Sequence, residues 1–90
     1  MQDTPTHSDM ERDYHAGYAR VMWFAEMARR RGWCLSDRQL FHEIRHRERA
    51  AQIRERSSLP VIGPEVGSAA WNRGQADALR EILRLQREHD

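Results

Sequence analysis

Residues 29–39, Arg29-Arg30-Arg31-Gly32-Trp33-Cys34-Leu35-Ser36-Asp37-Arg38-Gln39, contain a helix stop followed directly by a helix start. The three arginines suit the negative end of a helix dipole. Gly32 supplies the left-handed residue that closes a helix, with Trp33 and Leu35 expected to fold back against the turn as its hydrophobic partners. Ser36-x-x-Gln39 has the spacing at which a hydroxyl and a side-chain amide reciprocally satisfy the orphan amides of a new helix. Two helices joined by so short a linker pack as an antiparallel pair.

Working outward, Ser8-Asp9-Met10-Glu11 repeats the capping-box spacing and places a first helix near 9–31, preceded by a flexible N-terminus over 1–7. Downstream of the linker a second helix is expected over 37–56, fading at Ser57-Ser58. Residues 57–64, SSLPVIGP, carry Pro60, Gly63 and Pro64 and form the main loop, with Leu59, Val61 and Ile62 expected to cap the end of the bundle. A third helix is expected over 65–88 with Pro64 at its entry, Ser68 after Gly67 being the other possible start. The fold expected is all-α, a three-helix bundle forming a single domain over 1–90.

Composition agrees. Ninety residues with 39% hydrophobic content support one modest core, and the scarcity of β-branched residues disfavours a sheet. Cys34 is the single cysteine, so no internal disulfide forms, and no apolar run approaches the roughly 18 residues of a membrane span or the core of a signal peptide. A cytoplasmic protein without membrane attachment is the expectation. All fifteen basic residues are arginine, a bias expected of a GC-rich coding sequence, as in a GC-rich bacterium, its phage or another mobile element. Arginine also brings planar, bidentate contacts.

At 100° per residue, Met10, Tyr14, Gly17, Tyr18, Val21, Phe24, Ala25 and Ala28 form one stripe on the first helix. Trp71, Gly74, Ala78, Ile82 and Leu85, widened by Leu79 and Leu83, form its counterpart on the third. The stripes coincide at a shift of 57 positions, Tyr14 answering Trp71 and Gly17 answering Gly74. A duplicated hairpin would produce this, and so would independent selection of glycine where two backbones touch. On either account Gly17 and Gly74 mark close contact.

His42-Glu43-Ile44-Arg45-His46 spells H-E-x-x-H and resembles the zincin metallopeptidase signature, in which both imidazoles bind zinc and the glutamate polarises the bound water. The resemblance stops there. Arg49 and Gln52 stand where the longer metzincin motif needs glycine and histidine, and His42 and His46 lie opposite the Leu40/Ile44/Ala51 stripe, facing solvent. No metal site is expected; a zinc set would have to recruit Cys34 or Glu81. Phosphate loops, nucleophile elbows and Cys-x-x-Cys pairs are absent from the sequence, so no cofactor, small-molecule substrate or catalysis is expected.

Charge is regional. Residues 29–56 carry nine arginines against four acids, and Arg38, Arg45, Arg49 and Arg56 are the candidates for contact with nucleic acid. Glu43, Glu48 and Glu55 interleave with them, which weakens a phosphate rail. Glu48 and Glu55 also fall in line with Leu40 and Ile44, so the second half of that helix must be exposed or docked. On the first helix Ala16, Ala19, Trp23 and Met27 form a second apolar strip about 200° from the core stripe. Such a strip fits either a central first helix with the others on two of its faces, or an interface with another protein or a second copy. Trp23, Met27 and Ala19, rimmed by Arg20, Arg30 and Arg31, are the interface candidates. The expected function is that of a non-catalytic regulator, adaptor or inhibitor, host-defence inhibition being one such role. Arg-dependent nucleic-acid binding is the second reading and zinc chemistry the third.

Overall fold

The stop-and-start over residues 29–39 forms as its chemistry requires. Gly32 sits at φ 74°, Trp33 donates its N–H to the Ala28 carbonyl at 2.8 Å and Gly32 donates to Arg29 at 3.0 Å. This pair of bonds is the Schellman closure. Four residues on, the Gln39 N–H donates to Ser36 Oγ at 3.2 Å and the Ser36 N–H donates to Gln39 Oε1 at 2.9 Å, so the capping box is made in both directions. Trp33 and Leu35 differ from expectation. They stay 66% and 45% exposed: the two backbone bonds close the turn without them, and Trp33 lies against the Arg31 guanidinium.

The computed structural model describes residues 7–56 and 68–88, which form α1 (His7–Arg30), α2 (Asp37–Arg56) and α3 (Ala69–Glu88). The chain is an all-α three-helix bundle. α1 starts two residues before the expected boundary, so Ser8 lies within its first turn and His7 belongs to the helix, not to an N-terminal tail. α3 starts later than 65: Ser68 is its N-cap, its Oγ accepting from the Trp71 N–H at 3.1 Å. A serine hydroxyl that satisfies an orphan amide fixes a helix start better than a proline in the first turn. The expected loop over 57–64 lies outside the described residues.

The order of packing is decided by α3. Ion pairs Glu55–Arg73, Glu48–Arg80 and Asp37–Arg87 run in opposite directions along α2 and α3, which are therefore antiparallel. Along α1 and α3 the contacts climb together, from Asp13 with Ser68, through Gly17 with Trp71, to Leu35 just past the end of α1, which Gln86 reaches. α1 and α3 are parallel. Among the described residues no Cα of α1 comes within 8 Å of one in α2. α3, not α1, is the central helix, which removes the alternative of a central α1 packed on two faces.

The core lies where the three helices converge. Val21, Leu40, Ile44, Ala78, Leu79 and Leu83 are buried together, flanked by Tyr18, Met22 and Ile82. Ala51 and Ala76 extend it along the α2–α3 contact, where small side chains permit close approach and Glu48 and Glu55 pair outside them. The second half of α2 is thus docked by small residues and ion pairs. Met10 and Phe24, expected in the α1 stripe, are 46% and 52% exposed, and Leu85 is 37% exposed.

Gly17 and Gly74 are the points of nearest approach. A Cβ built on Gly17 would stand 2.9 Å from the Trp71 carbonyl carbon and nearer still to its oxygen; one on Gly74 would meet the Tyr14 carbonyl in the same way. The obstacle is backbone on both sides, so no rotamer change relieves it. Gly17→Ala and Gly74→Ala should each lower unfolding free energy by about 3 kcal/mol, the upper range for overpacking, read as a fall in urea midpoint by circular dichroism. Gly32→Ala, strained only in its dihedrals with open space around it, should lose about 1 kcal/mol.

Candidate functional site

Two polar clasps hold α1 to α3 and orient the rest of its surface. The buried carboxylate of Asp13 accepts from Ser68 Oγ at 3.0 Å, so α1 supplies an acid to the hydroxyl that caps α3. The next residue, Tyr14, donates its hydroxyl to Asp77 Oδ2 at 2.5 Å. The hydrogen bond to Asp77, burial and the carboxylate charge push the Tyr14 phenol up to about 12. Neither clasp was legible in the sequence, where Asp13 reads as a polar neighbour of the stripe. Asn72 and Gln75 are also buried on α3, polar residues that periodicity assigns no place in a core.

With Gly17 and Tyr14 pinned on α3, the opposite side of α1 points away from the bundle. Ala16, Ala19, Arg20 and Trp23 are all exposed and Met27 is half-buried. Trp23 is 54% exposed and meets Phe24 edge-to-face at a centroid distance of 5.1 Å. The Arg20 guanidinium covers both rings, 5.7 Å from that of Trp23 and 4.7 Å from that of Phe24. Sequence periodicity misplaces Phe24 in the core; α1 and α3 touch tightly at the glycines, and Phe24 lies beyond that crossing. Arg30 pairs with Glu26 at 3.3 Å, together with Arg29 at 2.8 Å, and these guanidiniums hold the Glu26 carboxyl below its ordinary value, Arg29 above all. Arg31 instead lies 5.7 Å from the ring of Trp33. Among the described residues no carboxylate pairs with Arg20 or Arg31.

α2 sorts its charges by face. Glu48 and Glu55 turn inward to Arg80 and Arg73 of α3, and Glu43 pairs with Arg47 at 3.4 Å. Arg38, Arg45, Arg49 and Arg56 are exposed and form no ion pair with a described residue. His42 and His46 are exposed as well, and Glu81 is engaged by Arg84. Cys34 is exposed in the linker, accepting weakly from Gln86 Nε2 at 3.4 Å. Among the described residues no group of three or more histidines, cysteines or carboxylates is placed to hold a metal ion.

An open groove of about 330 Å³ runs between α2 and α3, lined by Glu48, Gln52, Arg73, Asp77 and Arg80 with Ala51 and Ala76 at its floor. Its charged groups are committed to one another and to Glu55. The molecule's unspent chemistry is on its outer helices. No protein-family model matches the chain, and no curated protein or solved structure is detectably similar to it.

The Tyr14 clasp has a pH signature. Its folded-state phenol titrates above the unfolded value of 10.0, so the stabilisation is complete below pH 10 and is lost as pH rises towards 12. Tyr14→Phe should lower stability by about 1 kcal/mol at neutral pH, the net worth of one hydrogen bond. It should also remove that increment of alkaline destabilisation, checked by urea melts between pH 7 and 12.

Proposed function

We propose that this chain is a non-catalytic protein-binding module, a regulator or inhibitor that docks onto another protein through the outward face of α1. The observation that carries the reading is the exposed Trp23–Phe24 pair beneath Arg20, on a helix that only α3 backs among the described residues. Burying a tryptophan removes on the order of 200 Å² from water, worth several kcal/mol of association at ~25 cal/mol per Å². Tryptophan and arginine together are the side chains that dominate interface energetics.

The partner's chemistry follows from the rim. Arg20 and Arg31 have cation–π contacts but no carboxylate among the described residues, whereas the nearby acid Glu26 is already paired. The complementary surface is an apolar socket bordered by carboxylates. Ala16 and Ala19 keep the strip beside Trp23 low, so a flat helical or sheet surface can close over it. A module of this size acts by occlusion: it covers a working surface of its partner without doing chemistry there, which fits an adaptor or an inhibitor, host-defence inhibition included.

Trp23→Ala should weaken binding to a partner captured by the tagged protein at least 30-fold, the loss typical of a hot-spot residue at 2 kcal/mol or more. Calorimetry with both components purified is the readout. Helicity should be unchanged because Trp23 is outside the core. Undiminished affinity in the variant overturns the reading, as does a wild-type protein that dimerises through this face, seen as a mass halved by the substitution in light scattering.

A further inference from the structure

We infer that the outward face of α2 is a second, independent binding surface, specific for the phosphate backbone of duplex nucleic acid. Read along the chain, α2 interleaves its six arginines with three glutamates, which breaks up a phosphate rail. Folded, the two charges separate. Glu48 and Glu55 are drawn to Arg80 and Arg73 on α3 and Glu43 to Arg47; the Arg73 hydrogen bond above all holds Glu55 below the ordinary carboxylate range.

Of the arginines left over, Arg54 projects about 160° away and the other four fall on one line. At 100° per residue Arg38, Arg45, Arg49 and Arg56 lie within about 40° of each other, and at 1.5 Å per residue the stripe is about 27 Å long. All four are exposed and form no ion pair with a described residue. Beside them the same face carries His42, His46, Gln52 and Ile53, every one exposed and none acidic.

A straight, acid-free row of guanidiniums matches a ligand with regularly repeated charge. Duplex nucleic acid presents one phosphate per about 1.7 Å of axis along its whole length, and guanidinium pairs bidentately with phosphate oxygens. An acidic protein surface fits less well, because a protein interface draws its energy from clustered, buried apolar anchors, and the apolar residues bordering this stripe stand apart on its two sides, Ile53 on one and Phe41, under the Arg87 guanidinium, on the other. A membrane surface fits less well for the same reason, an amphipathic helix needing an apolar face to enter the headgroup layer.

The test is fluorescence anisotropy of a labelled 20-base-pair duplex of mixed sequence with the full chain. Four phosphate contacts predict that affinity falls roughly 100-fold between 50 and 200 mM salt; removing two contacts in Arg45→Ala/Arg49→Ala should reduce that fall to about 10-fold. The double variant keeps its fold, since neither side chain contributes to the core, and its helicity is checked by circular dichroism. Trp23→Ala should leave the salt dependence unchanged, which separates this surface from the one on α1. No saturable binding at 50 mM salt, or a salt dependence the double variant does not alter, overturns the proposal. So does competition by polyglutamate as effective as that by unlabelled duplex at equal charge, which would assign the stripe to an acidic protein.

Discussion

Backbone contact at Gly17 and Gly74 governs the arrangement of everything else in the molecule. Each glycine faces the carbonyl of the residue three positions before the other, so the two helices meet reciprocally about a local twofold. With no Cβ on either side α1 settles onto α3 at a single register, and Asp13 and Tyr14 are carried to Ser68 and Asp77. The 57-position correspondence between the stripes is this contact seen in one dimension. Reciprocal contact needs a glycine on each helix, which accounts for Gly17 answering Gly74.

Because α1 spends its narrow face on that contact, α3 is left to receive α2 on its other side. Ala51 and Ala76 bring α2 close, and Arg73, Arg80 and Arg87 reach across to Glu55, Glu48 and Asp37. Exposed ion pairs contribute little stability. Their consequence here is for charge distribution, since they engage Glu48 and Glu55 on the side of α2 that meets α3 and leave its outer arginines without an ion-pair partner among the described residues. Both outer helices present a face of their own to solvent, aromatic and cationic on α1, largely arginine and histidine on α2.

The expected helix ends held wherever a local side chain makes the cap: Gly32, Ser36 and Gln39 do so within a few residues of chain, and α2 begins and ends where it was placed. Where several caps competed, the start of α3 went to Ser68, whose hydroxyl also meets Asp13 from a distant helix. The placement of His42 and His46 on the solvent side of α2 was legible from periodicity alone. Phe24 was not, because a 100° stripe records the direction of a side chain and not whether another helix supplies a surface there.

By itself, then, the sequence determined three helices, the capping turns between the first two, the core of α2 and the glycine pair that brings two backbones together, since each rests on residues close in the chain or on a simple period. Tertiary structure alone decided that α3 is central, that Trp23 and Phe24 stand outside it, and that the glutamates of α2 are engaged while its outer arginines are not. Those outcomes depend on which helix supplies the opposing charge or surface, and partners some 18 to 63 residues apart leave no periodic trace along the chain.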